Sequence, residues 1–365
     1  MRYNIKQKNE PLYLSIYKSL REDIVNGVYK NGEKLPSKRV LAERLGVSVI
    51  TVENAYALLS AEGYIETVQK SGYFCIYDRG DRFLSAAVKP AASLPEYTSV
   101  GEAAFPFGVY AKTVRTVLSA YGDKIFAKCE PGGSAVLRVQ IADYLSRSRG
   151  ISVNPDRIFI GAGAEYLYGL IVELLGRDKV YAAEKPSYEK IEQVYAAKGV
   201  KCEMLPLSAD GIKSSALKNT SAQVLHITPY RSFPSGVTAS PSKRMEYISW
   251  AGSKNRYILE DDFESELTVT GKIYDTVFSL SDADNVIYLN TFTKTVSPAV
   301  RTAYMVLPEK LAGEFKEKLG FYSCTVPVLD QLVVAELLRN GEFERHINRV
   351  RRAARRESAS GKQRY

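Results

Sequence analysis

After Pro11, apolar residues recur one turn apart at Leu12, Ile16, Leu20 and Ile24, which predicts a helix that Gly27 ends. Ser37 can cap a second helix carrying Val40, Leu41 and Leu45, with Gly46 as its stop. Only Gly46 and Val47 separate it from Ser48, the cap of a third helix with Val52, Tyr56 and Leu59 on one face and Gly63 at its end. The period then shortens. Residues 64–68 and 73–77, joined by a turn at 69–72, read as a hairpin.

Two helices joined by a tight turn and followed by a hairpin make a winged helix-turn-helix. Its second helix can enter the major groove while the cap and wing meet phosphates. The same pattern also fits a small helical module that binds protein. Residues 78–100, with Asp78-Arg79-Gly80-Asp81, Pro90 and Pro95, have few periodic apolar positions and read as a linker between domains 1–77 and 101–365.

Beyond the linker, apolar runs at 157–160, 179–183, 224–227, 257–260 and 286–289 alternate with helical stretches such as 164–175 and 187–198. This alternation predicts an α/β domain with a largely parallel sheet. Ligands of such sheets collect at the strand ends. There, Gly161-Ala162-Gly163-Ala164-Glu165 can offer backbone N–H groups to a phosphate. Glu260-Asp261-Asp262 places carboxylates where burial demands a partner. Thr291-Phe292-Thr293-Lys294, with Arg301 beyond, supplies an amine able to form a Schiff base if its pKa is lowered. Taken singly, each also fits a strand-end ion pair or a solvated loop. His226, in an apolar run, reads as a satisfied core residue.

Composition changes this picture little. Hydrophobic residues at 45% and charged residues at 25% fit a soluble globular chain. There is no apolar run long enough to span a membrane, and the N-terminus lacks a signal-peptide core. Four dispersed cysteines and two histidines point to a reduced, cytoplasmic protein without a disulfide framework or metal site. The net charge of +9 is concentrated at the end, where residues 345–365 hold eight Arg/Lys and one Glu, so charge by itself does not establish DNA binding.

Two resemblances sharpen the reading. Gly32-Glu33-Lys34-Leu35-Pro36-Ser37-Lys38-Arg39, Leu41-Ala42-Glu43-Arg44-Leu45-Gly46-Val47-Ser48, Thr51-Val52 and Glu62-Gly63-Tyr64 resemble the DNA-binding domain of GntR-type regulators. That resemblance implies DNA contacts by Lys38, Arg39, Ser48 and Thr51. It departs at Val49, where the family usually has arginine; losing it removes a phosphate or guanine contact. Pro131-Gly132-Gly133, Leu137-Arg138, Asn290-Thr291-Phe292-Thr293-Lys294, Ser297-Pro298 and Arg301 resemble fold-type I aminotransferases, which use pyridoxal 5'-phosphate (PLP). Together the two parts are similar to the MocR subfamily.

The resemblance implies that Lys294 bonds the cofactor aldehyde and that Asp261 faces the pyridine nitrogen. It places Tyr188 beside the ring, and Thr293, Arg301 and the backbone of Gly163 and Ala164 on the phosphate. Several residues depart from the pattern: Phe263 for tyrosine, Glu165 for glutamine, Lys190 for arginine, Lys128 where a neighbouring subunit presents tyrosine, and Arg231-Ser232 in a frame lacking its His-Gln pair. The chain also stops early for the family, so the C-terminal small domain is expected to be incomplete and to lack the arginine that grips a substrate carboxylate. The implied protein is a dimeric, PLP-dependent regulator that binds an operator in double-stranded DNA and senses an amine, an amino acid or PLP itself. The alternatives are a working class I/II aminotransferase and a DNA-binding protein with no cofactor.

Overall fold

The computed structural model describes residues 11–69, 71–78, 105–252, 256–263, 265–268 and 275–359. The chain divides into two compact units, Met1–Thr98 and Ser99–Tyr365. Most of the expected linker at 78–100 lies outside the described residues.

In the first unit, helices α1 (Leu12–Val25), α2 (Lys38–Leu45) and α3 (Val49–Ala61) precede an antiparallel hairpin of β1 (Ile65–Val68) and β2 (Gly72–Cys75). Both predicted caps form. Ser37 Oγ accepts from Val40 N at 3.3 Å and Ser48 Oγ from Thr51 N at 3.1 Å, each satisfying a helix-start N–H. Gly46 adopts φ +64°, the left-handed conformation that lets α2 stop and the cap of α3, Ser48, follow two residues later. Ile16, Leu20 and Ile24 meet Leu41, Val52, Tyr56 and Leu59 in one core, whereas Leu12 is exposed. Gly72, read as part of the turn, already pairs with Val68 and belongs to β2.

The second unit opens with α4 (Phe107–Tyr121) and α5 (Ala135–Arg149). It then alternates through β3 (Ile158–Gly161), α6 (Ala164–Leu175), β4 (Tyr181–Lys185), α7 (Glu189–Ala197), β5 (Cys202–Ser208), β6 (Gly211–Ile212), α8 (Ser214–Asn219), β7 (Val224–Ile227), α9 (Pro241–Ala251), β8 (Tyr257–Asp261), α10 (Val277–Leu280), β9 (Val286–Thr291) and β10 (Ala303–Val306). Helices α11 (Glu309–Leu319), α12 (Val328–Arg339) and α13 (Glu342–Ala359) follow. The helix expected at 187–198 starts at Glu189, and the basic segment beyond Arg349 is helical as far as Ala359.

Eight strands form one sheet in the order β3-β10-β9-β8-β7-β4-β5-β6. The run from β9 to β5 is parallel, while β10 and β6 are antiparallel to their neighbours. Period-2 alternation divides the strand side chains between two faces. Ile158 and Ile160 join Tyr288 and Tyr304 against α5 and α12, whereas Phe159 joins Leu289 and Met305 against α6 and α11. With both faces covered, β3, β7, β9 and β10 are buried at every position, which is why the first three read as plain apolar runs. The directions bring the C-terminal ends of β3, β9, β8, β7 and β4 to one edge.

Candidate functional site

That edge holds a cavity of about 350 Å³. Its lining includes Ala164, Glu165, Tyr168, Tyr188, Lys190, Thr228, Phe233, Asp261, Phe263, Thr293, Lys294 and Arg301. Of the sequence-expected site residues in this unit, only Gly163 does not line it directly. Gly163 has φ +98°, and a Cβ there would stand 2.4 Å from Arg301 Nη2, so the turn requires glycine.

At the floor, Asp261 is 2% exposed at the end of β8. The Tyr168 hydroxyl donates to its Oδ2, while Oδ1 is buried with no hydrogen-bond partner. A carboxylate oxygen left unpaired in the interior is costly, so this atom fits a ligand that brings a donor or a positive charge. His226 also stands here, with Nε2 buried and 3.9 Å from Asp261 Oδ2. Its Nδ1 pairs with the Tyr195 hydroxyl at 2.8 Å, so the residue expected to be fully satisfied is satisfied on one side only.

Across the cavity, the Lys294 ammonium lies 5.4 Å from the centre of the Phe263 ring. The phenylalanine that departs from the family pattern therefore offers Lys294 a π face where tyrosine would offer a hydroxyl. Thr293 N and Oγ1 both bond Thr291 Oγ1, at 3.2 and 2.9 Å. Tyr188 and Phe233 meet edge to face at 6.3 Å and form an aromatic wall.

The end of the cavity at Arg301 is partly filled from within. Arg301 Nη2 donates to Glu165 Oε2 at 2.8 Å and Lys190 Nζ to Oε1 at 3.1 Å. Burial raises the Glu165 pKa, but its backbone hydrogen bond and the two cations outweigh that effect and leave it lowered. The glutamate noted in the sequence thus occupies both cations, and any bound anion would have to share Arg301 with it.

Nearby, the buried Glu184 accepts from Ser232 Oγ, which gives Ser232 its changed duty. Arg231 is exposed with φ +49°. Sequence reasoning missed Tyr168, and read Thr228 and Phe233 only as part of the frame around Arg231-Ser232. Tyr168 lies one turn beyond Ala164 on α6 and shares its face, a spacing that could have shown it.

In the first unit, the DNA-contact candidates cluster at the starts of α2 and α3. Arg39 is exposed, whereas Lys38 Nζ pairs with Glu53 at 2.5 Å. The Ser48 and Thr51 hydroxyls bond each other at 2.7 Å. Val49 and Ile50, 40% and 68% exposed, present apolar surface where the family arginine would stand.

A winged helix-turn-helix joined to a buried, mostly parallel sheet with this strand-end cavity defines a regulator built on an aminotransferase frame. Residues 12–75 match the gntR family of bacterial regulatory proteins, and residues 109–360 match aminotransferase class I and II. The chain belongs to these families and is a GntR-type transcriptional regulator of the MocR kind.

It is 32% identical to the uncharacterized HTH-type transcriptional regulator YdeL of Bacillus subtilis, over 96% of this chain and 78% of that one. Identity is 26% to the probable rhizopine catabolism regulatory protein MocR of Rhizobium meliloti, covering 94% and 74%. It is also 26% to the pyridoxine biosynthesis regulator PdxR of Corynebacterium glutamicum, covering 91% and 74%. Among solved structures, LysN, the α-aminoadipate aminotransferase of Thermus thermophilus, aligns with TM-score 0.62 and 26% identity over 70% of this chain and 66% of that one. An archaeal alanine:glyoxylate aminotransferase aligns with TM-score 0.61 and 22% identity over 66% of this chain, which spans 62% of its length. No helix among the described residues is long and apolar enough to cross a membrane.

Proposed function

We propose that the second unit binds PLP, and that PLP or an amine or amino acid reacting with it is the signal this regulator converts into DNA binding. The unpaired Oδ1 of Asp261, at the floor of a cavity that also holds Lys294, Thr293 and Arg301, carries this reading. When bound, PLP supplies an aldehyde that bonds amines and an electron-withdrawing pyridine ring. Asp261 would hold the ring nitrogen, with Tyr168 fixing the carboxylate. Lys294 would bond the aldehyde and later hold or release a proton at its Nζ. Thr293, Arg301 and the backbone of Gly163 and Ala164 would take the phosphate at the start of α6, and Tyr188 would flank the ring.

In the first unit, Lys38, Arg39, Ser48 and Thr51 would meet the operator duplex. Domains at 1–77 and 101–365 joined by 78–100, a homodimer and a cytoplasmic location complete the reading. The test is the visible absorption of purified protein with PLP, before and after borohydride. Lys294→Ala should abolish the trappable adduct, and Asp261→Ala should weaken PLP retention because the ring nitrogen loses its counter-charge. An undiminished adduct in Lys294→Ala would overturn the assignment.

A further inference from the structure

Away from the cavity, the second unit brings two cysteines that are distant in sequence onto one glutamine. Cys129 lies in the segment leading into α5, and Cys324 lies between α11 and α12. Gln331, on α12 and fully buried, donates from Nε2 to Cys129 Sγ at 3.5 Å and to Cys324 Sγ at 3.5 Å. The same nitrogen donates to the Val326 carbonyl at 2.8 Å, and Oε1 accepts from Ser134 N at 2.7 Å. Backbone groups at both ends therefore fix which way the amide points, and the sulfurs receive its N–H side.

Cys129 Sγ also lies 3.9 Å from Gln331 Oε1 and can donate to it. The neighbouring Cys324 thiol, with help from Gln331, outweighs burial and holds the Cys129 thiol at about 6. The Cys129 thiol beside it, reinforced by burial, pushes the Cys324 thiol up. Of the two sulfurs, Cys129 is thus the readier to ionise near neutral pH. Both residues are partly exposed. The other two cysteines differ: burial raises Cys75, and it pushes Cys202 up to about 12. Among the described residues, no group of three or more metal-ligating side chains offers this pair a metal to share.

We propose that Cys129 and Cys324 form a peroxide-reactive dithiol that closes reversibly to a disulfide. The Cys129 thiolate attacks the O–O bond of a hydroperoxide, forms an S–O bond and expels the distal oxygen, which leaves protonated as water or an alcohol. Cys324, giving up its proton, then attacks the Cys129 sulfur, and the S–O bond breaks as the oxygen departs as water. Two electrons pass from the sulfur pair to one peroxide. A cellular dithiol restores both thiols by exchange.

The position of the pair gives its closure a reach. Cys324 Sγ donates to the Ile160 carbonyl at 3.6 Å, and the adjacent Thr325 Oγ1 accepts from Ala162 N at 3.1 Å. These two bonds bracket Gly161 in the turn that leads into α6. Drawing Cys324 toward Cys129 loads the segment that holds that turn. The link to cofactor binding rests on the PLP reading, whereas the disulfide itself does not.

The experiment treats the reduced full-length chain with hydrogen peroxide and maps its peptides. A Cys129–Cys324 cross-link that dithiothreitol reverses is expected. In Cys324→Ser, dimedone should capture a sulfenic acid on Cys129. At neutral pH, iodoacetamide should alkylate Cys129 at least about tenfold faster than Cys202. Peroxide-treated protein that keeps both thiols titratable, or Cys129 alkylating no faster than Cys202, would overturn the proposal. PLP affinity measured in both redox states separates the two readings. A difference supports the reach to the turn and equal affinities overturn it, while no binding in either state faults the PLP reading and leaves the cross-link standing.

Discussion

Burial favours the neutral form of a carboxylic acid, and Glu184 at the end of β4 is such a group. Its burial raises the pKa from 4.5 to about 7, against an opposing hydrogen bond from Ser232. Between those values the folded chain keeps a proton that the unfolded chain has lost. Stability from this group is therefore greatest below about pH 4.5, falls as the pH rises through 7 and is level above, a loss on the order of 3 kcal/mol. Glu260, raised by burial to about 8, adds a loss of the same sign. In calorimetry at pH 5 and pH 8, Glu184→Gln should show a smaller pH dependence of Tm than wild type; identical dependence would remove Glu184 from this account. In the first unit, Arg39→Ala should cost about 1–3 kcal/mol at a preferred operator selected from random duplexes. Lys38→Ala should weaken all sequences alike and flatten the salt dependence, because one fewer cation would neutralise a phosphate and Glu53 would lose its partner. Anisotropy titrations on preferred and scrambled duplexes distinguish these outcomes.

Between elements, the ion pair of Arg149 and Asp262 ties α5 to the end of β8 at 2.7 Å, with side chains only 7% and 5% exposed. Tyr288 also donates to Asp262, and Arg351 of α13 reaches the Glu266 carbonyl at 2.6 Å. Removing one partner of a buried pair leaves a charge with no water to solvate it. Arg149→Met should therefore destabilise the second unit by about 3–5 kcal/mol, whereas Arg149→Met with Asp262→Leu should recover much of that loss. Denaturant unfolding of the three proteins checks the order. The sequence made most strands legible because they are buried on both faces and contain little but apolar residues. It left β5 unread, since Pro206 and half-buried positions interrupt its pattern. It also left β10 unread, four residues whose reversed direction no local spacing encodes. The site was legible wherever chemistry stood at a strand end, as at Asp261 and Lys294. Tyr168 and His226 were not, because an aromatic in an apolar helix and a histidine in an apolar strand look like packing until the tertiary fold puts Asp261 beside them.

For the whole molecule, the chemistry of the cavity separates a sensor from a catalyst. An aminotransferase must grip a substrate carboxylate before Lys294 can move a proton at the α-carbon. Here Lys190 and Arg301, both in the cavity lining, are already engaged by Glu165, and Phe263 lacks a hydroxyl. Amines are therefore expected to react slowly and once. A keto-acid assay across a panel of amino acids should find no sustained turnover near 1 per second; such turnover would place the protein among the enzymes. The order of strands has a consequence of its own. Neighbouring strands stand about 4.8 Å apart, so β3, β10, β9 and β8 are graduations on a ruler along the sheet edge. The Gly161 turn lies at the first mark, Lys294 just past the third and Asp261 at the fourth. A strand gained or lost would move the acid a whole graduation, farther than a change of rotamer can bring it back. Side chains can drift widely over such a scaffold while the calibration holds, and it is the length of an acceptable ligand that the order of strands measures.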